Sequence, residues 1–332
     1  MTTSHPLRWA ILGTGNIARQ FATGLNSSPR QALVAVGSRT QASADTFAAA
    51  YKIKTVHPSY EAALRDPEVD AVYISLPNSL HYEWTLKALA AGKHVLCEKP
   101  FADNVAQARE MFAAAERAGK VLAEAFMYRS HPLTHAVRAA VAAGKIGQLK
   151  MIRTSFLYRA GSTTGNVRFD LGLAGGALMD IGCYCINFAR LFAGAEPVAQ
   201  DAYAHLHESG VDDDNAGILK FPNGILATFT SGMAARADNT ADLLGTDGFI
   251  QIPIPWKPPI HDAVFHLTDA TGTRTTTVVS ADRDLYGMEA DDFAASVLDG
   301  APLRTPKADT LGNMACLDAL RARIGLRFKT DC

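Results

Sequence analysis

The 332-residue sequence has too few cysteines to suggest a disulfide framework. Five cysteines are an odd number and are unevenly spread, which indicates reduced thiols in a cytoplasm. The cysteines are Cys97, Cys183, Cys185, Cys316 and Cys332. Cys183 and Cys185 have no second pair at the spacing of a zinc site, so we interpret them as core residues and predict no bound metal.

The sequence also lacks a strong charge, a signal peptide and a long apolar run. The formal net charge of −1 gives no basic surface for nucleic acid. Residues 1–8 do not have the organisation of a signal peptide, and no apolar run reaches membrane-spanning length. We therefore expect a cytoplasmic protein with no nucleic-acid or membrane partner. A hydrophobic content of 48% is ordinary for a globular protein, and the length suffices for two domains.

A glycine-rich turn follows an apolar strand predicted at residues 9–12. The turn reads GTGNIA over residues 13–18 and opens a helix predicted at 17–25. Gly13 permits a tight turn, Gly15 lets the backbone approach a pyrophosphate, and Ala18 lets the helix pack against the strand. The predicted dinucleotide-binding residues of this turn are Gly13, Thr14, Gly15, Asn16 and Ile17.

The residues after the second predicted strand, at 32–37, indicate which dinucleotide is bound. An acidic residue at this point would bind the ribose hydroxyls of NAD. The chain has Ser38 and Arg39 instead. A hydroxyl next to a guanidinium suits the 2′-phosphate of NADP, because arginine donates charge-assisted hydrogen bonds. The alternative is a surface arginine in a loop.

A short apolar run at residues 94–97 ends abruptly at Glu98, Lys99 and Pro100. The run is typical of a buried parallel strand, and the residue before a proline is restricted to extended geometry. Lys99 should therefore leave the strand at the carboxyl edge of its sheet, where open α/β folds bind ligands. A solvated lysine in a loop is the alternative.

Another predicted strand, at residues 69–75, ends at the same edge of the sheet. Leu76, Pro77 and Asn78 follow it directly, and His81 lies in the first turns of the next helix. We predict that these residues, together with Glu98 and Lys99, contact the cofactor. For His81, helix capping or packing is an equally good interpretation.

Beyond residue 125 the alternation of strands and helices gives way to a run of strands. Strand patterns occupy residues 149–158 and much of 197–279, before two helix patterns at 288–298 and 308–324. The predicted fold is an α/β Rossmann domain over 1–125 and an α+β domain over 126–332 with an open, largely antiparallel mixed sheet. We interpret Asp212, Asp213 and Asp214 as a solvated turn. His131 and His135 lack an acidic partner, so we do not interpret them as metal ligands.

A glycine pair at residues 175–176 opens a helix pattern that reaches residue 192. An apolar stripe runs along one face, and Asp180, Tyr184 and Asn187 fall on another. An acid and a phenol one turn apart can point at one reacting group. A Tyr–Asp hydrogen bond inside a core is the alternative.

Three motifs together resemble the glucose–fructose oxidoreductase/inositol dehydrogenase (Gfo/Idh/MocA) family. They are GTGNIA at 13–18, CEKP at 97–100 and GGALMDIGCYCIN at 175–187, and their order and spacing match over nearly the whole chain. Many members have His in place of Tyr184. Tyr184, Ser38-Arg39 and GVDD at 210–213 resemble the branch of NADP-dependent D-xylose dehydrogenases, dimeric dihydrodiol dehydrogenases and glucose–fructose oxidoreductase.

The resemblance implies further features of structure and site. Members have an open-faced sheet, and the implied assembly is a homodimer or homotetramer packed through it. Arg168 falls where some relatives have Trp-Arg near the nicotinamide, which implies contact with the cofactor. Val167 departs from that pattern.

We therefore predict an NADP(H)-dependent oxidoreductase of sugars or related polyols, similar to D-xylose 1-dehydrogenase. Tyr184 would take the proton of a substrate hydroxyl while its carbon transfers hydride to the nicotinamide. The ammonium of Lys99 would favour the phenolate of Tyr184, and Asp180 would orient the sugar by accepting hydrogen bonds or share the proton relay. The roles of Tyr184 and Lys99 could be exchanged. The alternatives are a ketoreductase of nucleotide-linked keto-sugars, a trans-dihydrodiol dehydrogenase and a non-catalytic NADPH-binding redox sensor.

Overall fold

The computed structural model describes residues 5–331, so Cys332 lies outside the described residues. The chain divides into two units. Unit 1 holds the chain up to Ala102 together with Ala106–Ser130 and Asp282–Thr310. Unit 2 holds Asp103–Val105, His131–Ala281 and the chain from Leu311 onward. This grouping differs from the two contiguous segments expected, 1–125 and 126–332, because residues 282–310 group with unit 1.

Fourteen strands form two sheets in the described residues, one in each unit. In unit 1 they are β1 (Leu7–Leu12), β2 (Gln31–Gly37), β3 (Thr55–His57), β4 (Ala71–Ile74), β5 (His94–Glu98) and β6 (Leu122–Ala125). In unit 2 they are β7 (Leu149–Leu157), β8 (Ala199–Leu206), β9 (Asp212–Lys220), β10 (Leu226–Gly232), β11 (Ala241–Gly245), β12 (Gly248–Ile252), β13 (Ala263–Asp269) and β14 (Arg274–Val279).

The α-helices include five that alternate with the strands of unit 1. In chain order the helices are α1 (Asn16–Leu25), α2 (Gln41–Tyr51), α3 (Tyr60–Leu64), α4 (His81–Ala90), α5 (Val105–Ala118), α6 (Pro132–Ala142), α7 (Cys183–Ala193), α8 (Leu285–Leu298) and α9 (Lys307–Ile324). The helices predicted from the sequence all occur, with ends that differ by a few residues. One helix differs in type from the prediction, because the helix predicted at 175–192 begins with a π-helical turn, described below.

The sheet of unit 1 is parallel and has the strand order β3-β2-β1-β4-β5-β6. This is the order of a Rossmann domain, and it confirms the first half of the predicted fold. The order reverses between β1 and β4, and ligands of such sheets bind beyond the carboxyl ends of the strands at that point. The motifs at residues 13–18, 38–39, 76–78 and 98–99 all follow strands at this edge.

Helix α8 belongs to unit 1 because it crosses α1 at very short range. A Cβ atom on Gly24 of α1 would lie 2.5 Å from the backbone nitrogen of Gly287, so only glycine permits this approach. Nearby, Gln31 Nε2 donates to Asp291 Oδ1 at 2.7 Å. These contacts join residues about 260 positions apart in the chain. Local sequence patterns carry no information on contacts of that separation.

The sheet of unit 2 has the order β14-β13-β12-β11-β7-β10-β9-β8. Its neighbouring strands are antiparallel except for β7 and β10, which are parallel. Helix α7 packs against β7 and β10. The open, largely antiparallel mixed sheet is therefore confirmed.

The helix predicted at residues 175–192 begins with a π-helical turn, Leu178–Gly182, and continues as α7. Asp180 lies within this wider turn, so regular α-helical spacing from Asp180 to Tyr184 is not maintained. Tyr184 and Asn187 are buried like the apolar stripe, so the predicted polar face does not face solvent. Contrary to expectation, Leu171–Ala193 has the length and hydropathy of a membrane span, but 78% of that window is buried inside the fold.

The interpretation of Asp212, Asp213 and Asp214 as a solvated turn is wrong. Strand β9 begins at Asp212, which has no exposed surface, and Asp213 is only 5% exposed. The strand accommodates these carboxylates because other groups hydrogen-bond to them: Asn215 Nδ2 contacts Asp212 Oδ2 at 2.7 Å, and His205 Nδ1 contacts Asp213 Oδ1 at 2.6 Å. Without such hydrogen-bond partners, successive acidic residues would be expected in a solvated turn.

Candidate active site

The glycine-rich turn has the geometry that a dinucleotide requires. Gly13 has φ +101°, and a Cβ atom there would lie 2.9 Å from Ser75 Oγ, so the turn itself needs glycine. Gly15 precedes α1, and no atom of the described chain lies within 4 Å of the position of its Cβ. Protein packing therefore does not explain Gly15, whereas close approach of a pyrophosphate to the start of α1 does. Thr14 and Ile17 are half-buried, and Asn16 is exposed.

Ser38 and Arg39 follow β2, but their side chains differ in exposure. Ser38 is 5% exposed and its backbone nitrogen donates to His57 O at 3.2 Å. Arg39 is exposed, and its positive charge acts on the phenol of Tyr60 at the start of α3. Burial raises the pKa of Tyr60, and Arg39 counteracts part of that rise. The arginine is thus the accessible cation at this strand end.

The next strand end holds Leu76, Pro77, Asn78 and His81. Leu76 is buried, and Pro77 and Asn78 are half-buried. His81 is fully buried, with Nε2 2.9 Å from Leu76 O and Nδ1 2.8 Å from Pro100 O. Burial lowers the pKa of His81 to about 4, which keeps the ring neutral. Both contacts are with backbone oxygens, as expected if His81 has a packing role. Contact of His81 with the cofactor remains a prediction.

Glu98 and Lys99 stand at the carboxyl end of β5, as predicted. Glu98 is buried, and its carboxylate accepts hydrogen bonds from the Tyr73 hydroxyl and, at 3.2 Å, from the Lys99 backbone nitrogen. Lys99 is half-buried, and the peptide bond to Pro100 is cis. The glutamate is thus bound within unit 1, which leaves Lys99 as the charged side chain nearest the ligand-binding edge on this strand.

In unit 2, two donors share one oxygen of Asp180. Arg168 Nε lies 2.7 Å from Asp180 Oδ2, and the Tyr158 hydroxyl lies 3.0 Å from the same atom. The Asp180 side chain is 14% exposed, and that of Arg168 is 46% exposed. The negative charge of Asp180 raises the pKa of Arg168, while burial and then Asp180 raise the pKa of Tyr158. Arg168 therefore stays cationic, and Tyr158 stays a neutral donor to the Asp180 side chain.

The phenol of Tyr184 lies in a group of aromatic rings. Its ring centroid is 5.4 Å from that of Phe156, edge to face, and 6.1 Å from that of Trp256. Phe156 and Trp256 stack at 5.7 Å, and Trp256 Nε1 donates to Ser155 O at 2.9 Å. The rings fix the orientation of a side chain that is only 4% exposed.

Sequence reasoning named Arg168, Asp180 and Tyr184, and unit 2 brings all three together. It missed the bond from Tyr158 to Asp180 and the stacking of Trp256. Phe156 lies in β7 and Tyr158 directly follows that strand, and a spacing of two residues predicts one shared face of an extended chain, which is a signal that was available. Trp256 lies in a loop after β12, where no periodicity could place it.

No group of three or more His, Cys, Asp or Glu side chains in residues 5–331 could hold a metal ion. His131 instead caps α6, where its Nδ1 accepts from the Leu133 backbone nitrogen at 3.0 Å. Of the residues that sequence reasoning assigned to the site, Lys99 lies in unit 1, and Arg168, Asp180 and Tyr184 lie in unit 2.

Two family profiles match this chain. The family profile described as "Oxidoreductase family, NAD-binding Rossmann fold" matches residues 7–126. The profile "GFO/IDH/MocA C-terminal domain" matches residues 134–251. Together the two profiles cover most of the chain.

Three relatives illustrate the range of similar proteins. D-xylose 1-dehydrogenase (NADP(+)) 2 of Haloferax volcanii is 33% identical over 317 residues, 95% of this chain and 96% of the relative. Trans-1,2-dihydrobenzene-1,2-diol dehydrogenase of Mus musculus is 38% identical over 255 residues, 76% of each chain. A crystal structure of a 3-ketoreductase from Actinomadura kijaniata with NADP and TDP-benzene superimposes with a TM-score of 0.89 at 32% identity, covering 96% of this chain and 98% of that one. The chain is therefore an oxidoreductase and belongs to the GFO/IDH/MocA family.

Proposed function

We propose that this oxidoreductase uses NADP(H) and transfers hydride between the nicotinamide and a hydroxyl or carbonyl carbon of a sugar or related polyol, as a D-xylose or other aldose 1-dehydrogenase does. The observation that carries the proposal is the Asp180 carboxylate, held by Arg168 and Tyr158 in the turn that leads to Tyr184. A fixed carboxylate suits the hydroxyls of a sugar. The names of the xylose dehydrogenase and the ketoreductase also support NADP and a sugar.

The cofactor fits residues of unit 1. NADP accepts the hydride when bound, and NADPH supplies it in the reverse direction. The backbone at Gly13 and Gly15 and the start of α1 would hold the pyrophosphate, because helix N-termini favour anions. Arg39 would bind the 2′-phosphate through its exposed guanidinium, with Ser38 at most a secondary donor because it is buried.

Asp180 and Tyr184 have different proposed roles toward the substrate. Asp180 accepts a hydrogen bond from a substrate hydroxyl and so orients the sugar. Tyr184 carries the proton, which requires a nearby positive charge because a free phenol has a pKa near 10. The guanidinium of Arg168, which is ion-paired with Asp180, is a cation of the same unit that would act on Tyr184 in this way. The prediction that Lys99 adds to this effect, or exchanges roles with Tyr184, remains open to test.

The experiment is a screen of purified protein with NADP against aldoses, inositols and diols, followed by the absorbance of NADPH. We expect turnover with at least one aldose, and little turnover from Tyr184→Phe. Tyr82→Phe is the matched control, since the Tyr82 hydroxyl donates to Glu110 at an exposed position of unit 1 and has no assigned role. NADPH binding without turnover of any substrate would instead indicate a redox sensor.

A second candidate function is a trans-dihydrodiol dehydrogenase, favoured by the aromatic group around Tyr184. Phe156 is half-buried beside Tyr184 and offers a ring face to a cyclic, apolar diol. The mouse relative carries that activity in its name. A kcat/KM higher for a trans-dihydrodiol than for every aldose would select this function, and turnover of only a nucleotide-linked keto-sugar would select a ketoreductase.

The assembly proposed for the enzyme is a homodimer or homotetramer formed through the sheet of unit 2. Exposed apolar side chains on two neighbouring strands support it: Tyr203 of β8 and Ile218 of β9 are 81% and 43% exposed. Light scattering coupled to size exclusion tests the assembly. A monomeric wild type, or an unchanged oligomer in Tyr203→Asp, would argue against this surface. A cytoplasmic location remains a prediction.

A further inference from the structure

A buried chain of polar side chains lies against the π-helical turn that carries Asp180. Asp212 Oδ2 accepts the backbone N–H of Leu178 at 2.7 Å and the Asn215 Nδ2–H at 2.7 Å. Asn215 Oδ1 in turn accepts the Ser231 hydroxyl at 2.7 Å. Asn215 and Ser231 face each other across β9 and β10, so the sheet fixes the far end of the chain.

The contacts reach both ends of the turn. At the start, a Cβ atom on Gly176 would lie 2.3 Å from Asp212 Oδ1, and Gly176 has φ +116°. At the end, a Cβ atom on Gly182 would lie 2.8 Å from Ser231 Oγ. Glycine at both positions is what lets the turn lie directly on Asp212 and Ser231. Asp180 is tied to the same frame, because its backbone nitrogen donates to Gly176 O at 2.9 Å.

Because Asp212 is buried, its carboxyl group is less favourable for stability than an apolar side chain would be. Asp212 and Ser231 have no exposed surface, and Asn215 is 5% exposed. Within residues 5–331, Oδ1 of Asp212 has no hydrogen-bond partner, although it is buried. A buried carboxylate with one unpaired oxygen destabilises a core that an apolar residue could fill. The oxygen that accepts hydrogen bonds is Oδ2, and one of its donors is the backbone N–H of Leu178 at the start of the turn.

We propose that Asp212 is a positioning residue, which accepts the N–H of Leu178 and thereby sets the place of the turn from which Asp180 meets the substrate. The inference rests on the proposed function, in which Asp180 binds a substrate hydroxyl. The positioning role of Asp212 requires a hydrogen-bond acceptor at the Oδ2 position and does not require a negative charge. An amide oxygen at that place can accept the same two N–H groups, whereas a methyl group cannot.

The test compares Asp212→Ala with Asp212→Asn. Asp212→Ala should lower kcat by about tenfold or more and raise the sugar KM, because displacement of a reacting group by about 1 Å can cost a hundredfold. NADP affinity should stay unchanged, and Asp212→Asn should restore most of kcat. Asp213→Ala is the matched control: it removes an adjacent buried carboxylate that contacts His205, and it should leave kcat near the wild-type value.

Hydrogen exchange of the peptide that spans residues 176–182 gives a readout independent of turnover. Exchange should be faster in Asp212→Ala and unchanged in Asp212→Asn. If Asp212→Ala keeps both kcat and exchange protection, or if Asp212→Asn is as impaired as the alanine variant, the proposal is wrong. If Asp212→Ala does not fold, Ser231→Ala replaces it, and unchanged exchange and KM in that variant would also overturn the proposal. Absence of sugar turnover by the wild type would refute the proposed function, while the exchange data would still decide the role of Asp212.

Discussion

The pKa of Asp212 gives a prediction for the pH dependence of stability. Burial raises this pKa from 3.8 to about 6, although the hydrogen bonds from Leu178 and Asn215 act in the opposite direction. A carboxyl group whose pKa is higher in the folded state stabilises the fold while it is protonated. That contribution is complete below about pH 3.8 and is lost as the pH rises through about 6. A difference of about two pKa units at about 1.4 kcal/mol each gives about 3 kcal/mol in total.

Asp212→Asn removes this proton equilibrium and keeps an acceptor for Leu178. Relative to the variant, the wild type should therefore lose about 2 kcal/mol of unfolding free energy between about pH 4.5 and pH 7.5, the accessible part of the range. Urea unfolding of both proteins across that range, followed by fluorescence and circular dichroism, measures the difference. Asp238→Asn, at an exposed position, is the control and should track the wild type at every pH.

Two outcomes would refute the reasoning. A stability difference that does not change with pH would mean that Asp212 titrates alike in the folded and unfolded states. A difference of opposite sign, with the variant losing stability relative to the wild type as the pH rises, would mean that the bonds from Leu178 and Asn215 outweigh burial.

Four further changes test the candidate site. Arg39→Ala should weaken NADP binding about ten- to hundredfold and hardly affect NAD, since a charge-assisted hydrogen bond contributes roughly 1.5–3 kcal/mol; an unmoved ratio of kcat/KM for the two cofactors would contradict this. Lys99→Met should lower kcat by about two orders of magnitude, as expected for one lost positioned charge, with a much smaller change in NADP affinity; comparable turnover would make the lysine structural or solvated. Tyr184→Phe should lose most turnover while folding and NADP binding persist, and an unchanged pH–rate profile would exclude Tyr184 as the proton carrier. Tyr158→Phe should raise the sugar KM more than it lowers kcat, because Asp180 loses one donor and keeps Arg168; steady-state kinetics with unchanged KM would show that the hydroxyl does not hold the carboxylate.

The Rossmann half could be predicted from sequence because its signals are local. Each strand is a short apolar run, each helix follows within a few residues, and the turn at Gly13 and Gly15 has a fixed chemical reason. The strand that ends at Lys99 is of the same kind, since a proline stops it. All of these features depend on residues close together in the chain, and the structure has them where they were expected.

The features that were missed depend on contacts between distant residues. Helix α8 joins unit 1 through the approach of Gly287 to Gly24, which no periodicity reveals. The π-helical turn arises where the backbone lies on Asp212 and Ser231, and its sequence alone reads as a regular helix. Asp212 itself was misread because three successive aspartates usually mark a turn. Its burial is allowed here by Leu178, which lies 34 positions away in another element, and by Asn215 further along the same strand.

The contacts of Asp180 and Tyr184 in unit 2 suit the roles proposed for them. Two donors bind Asp180 Oδ2, one of them the guanidinium of Arg168, so the carboxyl group is held in one orientation. A carboxyl group held in this way suits the binding of a sugar hydroxyl, and a share in the proton relay is the alternative role. Tyr184 makes ring contacts with Phe156 and Trp256 that do not depend on the state of its hydroxyl. A phenol can give up and regain its proton without disturbing those contacts, which supports the proposal that Tyr184 carries the proton and Asp180 orients the sugar.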